Sequence, residues 1–190
     1  MDYVTIGAIA APFAIGYFWY AGIISKRNKA DESLSGIDVQ LKKRSNLIPN
    51  ILKIAQKFMD HEKSLITEVT ELRTKVDSSY DKADPDAVMQ HLAAAEQLSG
   101  RMGQLMIAVE AYPDLKSDQT MVQAMQTYNE VEAQIAAARR FYNSSVTQLN
   151  NAVQIFPGNL IAGIAGVAQK PFFEADEASR APVHADSFLR

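Results

Sequence analysis

The sequence predicts an all-α protein, with a single N-terminal transmembrane helix followed by an antiparallel up-and-down helical bundle. Three observations lead to this prediction. An uncharged apolar run lies at the N-terminus, apolar residues then recur at the helical period, and glycine and proline are few, at 9 and 7 among 190 residues. The bundle is expected to contain three long helices and one short C-terminal helix.

The transmembrane anchor is expected over residues 1–25. The stretch "VTIGAIAAPFAIGYFWYAGII" (residues 4–24) has no charged side chain, and its length is close to the ~20 residues that a helix needs to cross the hydrocarbon core. Its aromatic cluster at residues 17–20 is typical of a membrane interface. A cleaved signal peptide is the alternative, but the stretch has no basic segment before it and no good small-residue cleavage site.

The charges that flank the anchor predict its orientation. Lys26, Arg27 and Lys29 follow the span directly, whereas Asp2 is the only charged side chain before it. Basic residues next to a span remain in the cytoplasm, so we expect the N-terminus outside and the C-terminal bundle in the cytoplasm. The same three basic residues are candidates for contacts with lipid headgroups. Membrane lipids are therefore expected partners.

The body of the chain is expected to begin with a long helix. Residues 26–36 are polar and are interpreted as a juxtamembrane linker, and residues 37–173 form the predicted bundle. From residue 37 to residue 80 the apolar stripe keeps its phase across Pro49, which favours one continuous or mildly kinked rod. Ser45 and Asn46 could satisfy the carbonyls that the proline frees. A break with a new helix starting at Pro49 is the alternative.

Turn signals separate the later helices. Residues 77–87 read as a turn in which Asp84 caps the next helix and Pro85 takes its first position. That helix should end before Pro113. A third long helix follows the connection at residues 111–118 and ends at Pro157, and residues 159–168 form the short fourth helix. The tail, residues 174–190, lacks periodicity and is expected to be flexible.

Four charged residues interrupt the apolar stripes: Arg44, Glu62, Glu132 and Arg139. An unpaired buried charge is costly, so we expect an arginine of this set to pair with a glutamate on another helix. Such structural ion pairs would fix the register between helices. Two other interpretations remain open, because long charged side chains can flank a core and reach solvent, or mark a functional site.

The residues offer little reaction chemistry. There is no cysteine, which excludes disulfides and thiol catalysis. The net charge of -3 does not indicate nucleic-acid binding. The segment "HEKSL" lacks the second histidine of a zinc-protease helix, and no Glu-x-x-His pair suggests a di-metal bundle. We therefore expect no catalytic residues, no cofactor and no metal. An enzyme using Glu62, Arg139 and Tyr142 in a bundle cavity is the least favoured hypothesis.

Several segments, in order along the chain, resemble the LemA family. They are "SGIDVQLKKRSNLIPNILKIAQKFMDHEKSLITEV" (35–69), "EAYPDLKSD" (110–118), "EAQIAAARRFYNSSVTQLNNAVQIFPGNLIA" (132–162) and "PFFE" (171–174). The residues that carry the resemblance include Asp38, Gln40, Arg44, Pro49, Asn50, Glu132, Arg139, Tyr142, Asn143, Asn150 and Pro157. The resemblance covers nearly the whole chain. It implies one N-terminal helix in the bacterial inner membrane, followed by a four-helix bundle in the cytoplasm.

The resemblance also bears on function. No catalytic activity or cofactor is established for the family as a class, and some relatives act in building bacterial organelle membranes such as magnetosomes. We expect a membrane-anchored structural protein that forms homo-oligomers and organises or remodels a membrane. A monomeric adaptor or regulator of a membrane protease or transporter is the alternative, because other relatives occur beside envelope-stress proteases in genomes. Any protein partner is unknown, and no nucleic acid is expected.

Overall fold

The computed structural model describes residues 3–59 and 61–173, without the side chains of residues 4–9. All regular secondary structure in these ranges is helical, so the all-α prediction is confirmed. The helices are α1 (Tyr3–Ala55), α2 (Lys63–Asp77), α3 (Pro85–Val109), α4 (Pro113–Ser117), α5 (Gln119–Gln154) and α6 (Gly158–Ala165).

Helices α1, α2, α3 and α5 pack as an antiparallel four-helix bundle. On α1 and α5, Ser33 lies against Ser145 and Arg44 against Glu132, so the numbering falls on one helix as it rises on the other. Between α1 and α2, Lys42 pairs with Asp77 and Arg73 reaches the Ser45 carbonyl, which indicates the same antiparallel arrangement. Successive helices therefore run up and down, as short connections favour.

Helix α1 starts well before the bundle and includes the segment that we expected as a linker. Ala30 and Leu34 are fully buried, and they continue the stripe of Ile37 and Leu41 at alternating steps of three and four. The polar residues between 26 and 36 mostly occupy the outward positions of the same helix. Residues 26–36 are thus part of the packed body, because a polar segment can still supply one buried position per turn.

Pro49 lies inside α1, so the prediction of a helix running through it is confirmed and the break is excluded. Proline has no N–H, which leaves the carbonyl four residues earlier, that of Ser45, without its helical donor. Arg73 of α2 donates from Nε to this carbonyl at 2.9 Å. The partner is therefore a side chain from the neighbouring helix, and not Ser45 or Asn46 as expected.

The single rod over residues 37–80 was a wrong prediction. Helix α1 ends at Ala55, and α2 begins at Lys63 and runs back along α1. The bundle consequently has four helices instead of three. Neither glycine nor proline marks the turn, and the seven-residue step from Phe58 to Leu65 hides it. A hairpin buries Val69 against the rest of the bundle, whereas one rod would leave its stripe in water.

The remaining helix boundaries agree with the sequence. Asp84 accepts a hydrogen bond from the Asp86 N–H at 2.9 Å and Pro85 is the first residue of α3. Helix α3 ends before Pro113, although the short α4 occupies the connection that follows. Helix α6 is the predicted short C-terminal helix. The predicted flexible tail, residues 174–190, lies outside the described residues.

Among the described residues, no helix combines the length and the apolar character needed to cross a membrane. The predicted anchor, residues 1–25, includes residues 1–2 and the side chains of residues 4–9, which are outside that description. Further along α1, Phe13, Tyr17 and Phe18 are exposed over 77%, 67% and 73% of their surfaces. The N-terminal part of α1 thus presents aromatic rings to the surroundings, while one face of the same helix is buried further along, at Ile23, Ala30 and Leu34.

Candidate functional site

Among the described residues, the most deeply buried charge is Arg44, whose side chain is 1% exposed. Its Nη1 donates to Glu132 Oε1 at 3.0 Å, and its Nη2 donates to the Ala95 carbonyl at 2.9 Å. Ser99 Oγ donates to the other oxygen of Glu132 at 3.2 Å. The structure therefore brings Arg44 and Glu132 together, and this contact links α1, α3 and α5 at one level of the bundle.

Tyr128 lies one turn before Glu132 on α5 and is 4% exposed. Burial, followed by the nearby charge of Glu132, raises the pKa of the Tyr128 hydroxyl above its ordinary value. The hydroxyl is consequently neutral at any physiological pH. Arg44 is thus surrounded by one counter-charge, Glu132, and by neutral groups. This arrangement is typical of a structural ion pair that holds helices together.

The other two charged residues singled out from the sequence make separate contacts. Arg139 Nη1 pairs with Glu96 Oε2 at 2.8 Å, and its guanidinium lies 4.0 Å from the centre of the Phe173 ring. Glu62 accepts a hydrogen bond of 2.6 Å from the Tyr112 hydroxyl. Of the pairings expected within the set, the structure contains that of Arg44 with Glu132, whereas Arg139 pairs with Glu96 of α3.

These contacts bear on the least favoured hypothesis, in which Glu62, Arg139 and Tyr142 would share a cavity. The Tyr142 hydroxyl donates to the Pro171 carbonyl at 2.8 Å. Glu62 and Arg139 contact the different partners described above. The three side chains therefore take part in different contacts, and each contact joins two segments of the fold.

A second polar cluster centres on Asp38, which sequence reasoning did not single out as a site. The Tyr80 hydroxyl donates to Asp38 Oδ1 at 3.0 Å, and Lys82 Nζ lies 2.6 Å from Asp38 Oδ2. His91 Nε2 is 3.5 Å from Asp38 Oδ1, and the imidazole stacks on the Tyr80 ring with centroids 4.0 Å apart. Asp38 thus joins α1 to the α2–α3 connection and to α3.

The electrostatics of this cluster favour a charged Asp38. Burial alone would oppose ionisation, but the interactions with His91, Lys82 and Tyr80 outweigh it and hold the pKa of Asp38 below its ordinary value. A carboxylate that is occupied by three neighbours and has a low pKa is a poor general base. A cavity of about 280 Å³ adjoins the cluster. The Asp38 carboxylate that lines this cavity is already engaged in contacts with Tyr80 and Lys82.

The end of the described chain is fastened along α5 by two asparagines. Asn143 exchanges hydrogen bonds with the backbone of Phe173 at 2.9 and 2.8 Å, and Asn150 does the same with Lys170 at 3.0 and 2.9 Å. Lys170 also pairs with Asp31 of α1 at 2.8 Å. Both asparagines belong to the segments that resemble the LemA family, which was the signal in the sequence that could have located this contact.

The three candidate lipid-binding residues lie near the start of the bundle but do not face one direction. Lys26 and Lys29 border a groove that also contains Tyr17 and Tyr20. Lys29 Nζ is 3.3 Å from Glu32 and 4.9 Å from the centre of the Phe141 ring. Arg27 lines a different cavity, beside Lys170. The structure thus places basic groups on two sides of α1 directly after its exposed aromatic rings.

In the part of the chain that the structure describes, no group of three or more histidine and carboxylate side chains is placed to hold a metal ion.

The Asp38 cluster escaped the sequence analysis because its members come from three separate segments: Asp38 on α1, Tyr80 and Lys82 between helices, and His91 on α3. Only the packing of the helices brings them together.

These features define the chain as an antiparallel four-helix bundle whose first helix, α1, extends beyond the other three, and buried polar contacts hold the helices together. Four-helix bundles serve many functions, so this fold alone does not assign a protein family. Residues 33–186 match the LemA family, and the chain belongs to that family.

Curated proteins similar to this chain are magnetosome proteins. The chain is 22% identical to magnetosome protein MamQ 2 and, equally, to MamQ 1 of Paramagnetospirillum magneticum (strain ATCC 700264 / AMB-1), in each case over 200 residues, which covers 95% of this chain and 74% of the relative. It is 23% identical to magnetosome protein MamQ of Magnetospirillum gryphiswaldense over 184 residues, covering 86% of this chain and 68% of that protein.

Proposed function

We propose that this chain is a membrane-anchored structural protein of a bacterial inner membrane. The N-terminal part of α1 crosses the bilayer once, with the N-terminus outside, and the bundle stands in the cytoplasm as a rigid body. Copies of the chain assemble through their bundles and thereby organise or remodel the membrane. The proposal assigns no catalytic activity to the chain.

The observation that carries the proposal is the continuity of α1. One helix extends from Tyr3 to Ala55, exposing Phe13 and Phe18 at its start and burying Leu34 and Ile48 further along. Residues 24 to 55 of this helix alone span about 48 Å at 1.5 Å per residue. Because no loop intervenes, the orientation of the bundle is coupled directly to the orientation of the proposed span.

Two further observations support the membrane part of the proposal. The run from Val4 to Ile24 is uncharged and is followed by Lys26, Arg27 and Lys29, the distribution expected for a span whose C-terminal end is cytoplasmic. Relatives of this chain are named as magnetosome proteins, which favours an organising role at an organelle membrane over metabolism.

The anchoring and its orientation can be tested with single cysteines, because the chain has none of its own. Asp2→Cys, which precedes the proposed span, and Ser187→Cys in the full chain would be treated with a membrane-impermeant maleimide in spheroplasts. We expect Asp2→Cys to react in intact spheroplasts and Ser187→Cys to react only after permeabilisation. The reverse pattern would refute the orientation, and release of the protein by alkaline carbonate would refute the anchor.

Assembly needs its own measurement. The full chain, extracted together with its native lipids, would be examined by mass photometry and electron microscopy. Particles containing several copies support assembly. A uniform monomer at micromolar concentration would contradict it and favour the alternative role of a monomeric adaptor for a membrane protease or transporter.

A further inference from the structure

The end of the bundle nearest the proposed span carries an unusual exposed surface. Ile155, Phe156, Leu160 and Ile164 are exposed over 60%, 73%, 60% and 89% of their surfaces. We refer to these four residues as the α5–α6 corner. No charged residue occurs between Arg140 and Lys170, although the surface of a soluble helical body normally carries many charges. The corner is therefore apolar without a charged rim of its own.

The register between α1 and α5 fixes the height of this corner. Ser33 faces Ser145 and Arg44 faces Glu132, so each step toward the C-terminus of α5 is one step toward the N-terminus of α1. Extrapolation places residue 155 beside the stretch 21–23 of α1. Two contacts agree with this level. Ala152 shares a groove with Phe18 and Trp19, and a Cβ at Gly158 would lie 3.8 Å from Ile23 Cδ1.

Helix α6 cannot turn its outer face inward to bury the corner. Ala162 and Val167 pack with Ile23 and Ala30 in a small apolar cluster beside the main core. Beyond α6, Lys170 is fastened to Asp31 at 2.8 Å and to Asn150 through its backbone. These contacts fix the inner face of α6 against α1. Leu160 and Ile164, four residues apart on one side of the helix, remain directed outward.

We propose that the α5–α6 corner is a second membrane contact, which lies in the boundary between headgroups and acyl chains of the cytoplasmic leaflet. This inference rests on the proposed anchoring by α1. If the aromatic residues 17–20 and the basic residues 26–29 mark the interface on α1, the bilayer surface reaches the level of the corner. An uncharged helix with exposed apolar residues can enter that boundary without desolvating a charge.

A lipid surface fits the corner better than a protein partner because of its continuity with α1. Phe18 and Trp19 share a groove with Ala152, which lies three residues before Ile155 on α5, so the exposed rings of α1 lie close to the corner. Lys26 and Lys29 follow immediately on the bundle side, where anionic headgroups would lie. Two points of contact, the span and the corner, would fix the tilt of the bundle relative to the membrane.

The single tryptophan of the chain, Trp19, makes the test direct. The full chain would be reconstituted into phosphatidylcholine–phosphatidylglycerol vesicles whose acyl chains carry bromine near the headgroup or near the chain end. Quenching of Trp19 in the native sequence tests the anchor. The double variant Trp19→Phe/Phe156→Trp reports on the corner. The matched control is Trp19→Phe/Ile107→Trp, because Ile107 is 75% exposed and lies near the C-terminal end of α3, at the end of the bundle away from the proposed span.

We expect bromine near the headgroup to quench the corner variant about as strongly as the native chain, while the control variant loses no emission. Adding Ile155→Asp to the corner variant should abolish most of that quenching. If the native chain is quenched and the corner variant is not, the corner inference is overturned and the anchor stands. Blue-shifted, unquenched emission from the corner variant would mean that protein covers the corner, which also overturns the inference.

Two further outcomes keep this test decisive. An unquenched Trp19 would overturn the anchor, and with it the premise of the inference. If Phe156→Trp reduces the helical circular dichroism, Leu160→Trp in the Trp19→Phe background replaces it, because Leu160 is also directed outward and is 60% exposed. Quenching of that reporter supports the inference, and its absence beside a quenched Trp19 refutes it.

Discussion

The role assigned to Arg73 leads to a quantitative prediction about how α1 accommodates Pro49. The Ser45 carbonyl lacks a helical donor because of Pro49, and Arg73 Nε supplies one at 2.9 Å. Ser45 is fully buried, so its carbonyl depends on Arg73 and not on water in the native chain. Changing Arg73 to Met keeps most of the aliphatic stem and removes the donor.

The magnitude follows from the two contacts that Arg73 loses. A buried acceptor left unsatisfied costs about 1–3 kcal/mol. The ion pair of Arg73 with Asp77, at 3.4 Å and with side chains 30% and 21% exposed, is partly screened and adds only about 0.3–0.5 kcal/mol. We expect Arg73→Met to lower the free energy of unfolding by about 2 kcal/mol.

The same substitution should cost much less when Pro49 is absent. In Pro49→Ala, the new N–H of residue 49 can donate to the Ser45 carbonyl, so Arg73→Met then forfeits little beyond the ion pair. The coupling energy between the two sites is expected to be about 1.5 kcal/mol. Pro49→Ala alone should stabilise the chain, but by less than the ~3 kcal/mol measured for proline in a helix without such a partner.

The assay is a double-mutant cycle on the full chain in detergent, followed by helical circular dichroism during chemical unfolding. Arg140→Met is the matched control, because Arg140 is exposed on α5, and its effect should be close to zero with either residue at position 49. If Arg73→Met costs the same in the Pro49→Ala background as in the native one, the reasoning is refuted.

Three other predictions concern the buried contacts. Glu132→Gln should destabilise the chain by about 3 kcal/mol because it leaves the buried Arg44 without a counter-charge. Adding Arg44→Met should recover part of this loss in the same unfolding assay. Strictly additive effects of the two substitutions would contradict the pairing. Gly158→Ala should cost about 1–3 kcal/mol because its Cβ would collide with the carbonyl oxygen of residue 152, whereas Gly163→Ala, where a Cβ meets nothing within 4 Å, should be neutral or stabilising; equal effects would refute the close approach. Burial is outweighed at Asp38 by hydrogen bonds that lower its folded pKa, so its stabilisation should be present above pH about 4 and be lost as the pH falls through the folded pKa; Asp38→Asn should remove this part of the acid dependence, and an unchanged stability–pH curve would argue against it.

Local signals in the sequence determined much of the architecture. The helical class, the cap formed by Asp84 and Pro85, and the ends of α3 and α5 near prolines follow from interactions within a few residues, and all agree with the structure. The phase of the apolar stripe also indicated that α1 passes through Pro49. The choice of Arg44 and Glu132 as candidates rested on a charge in an apolar stripe, which is again a local pattern.

Tertiary packing decided what those signals could not. The turn between α1 and α2 has no glycine or proline, and the stripe keeps its phase across it, so only the burial gained by a hairpin selects it. The partners of Arg139, Glu62 and Asp38 come from distant segments, and their pairing depends on the register of helices rather than on spacing along the chain. The donor that makes Pro49 tolerable likewise comes from another helix, through Arg73. The helical period of apolar residues and the capping residues act within one helix, so they can be recognised from residues close together in the sequence. Which residue of another helix a side chain contacts is a property of the packed bundle.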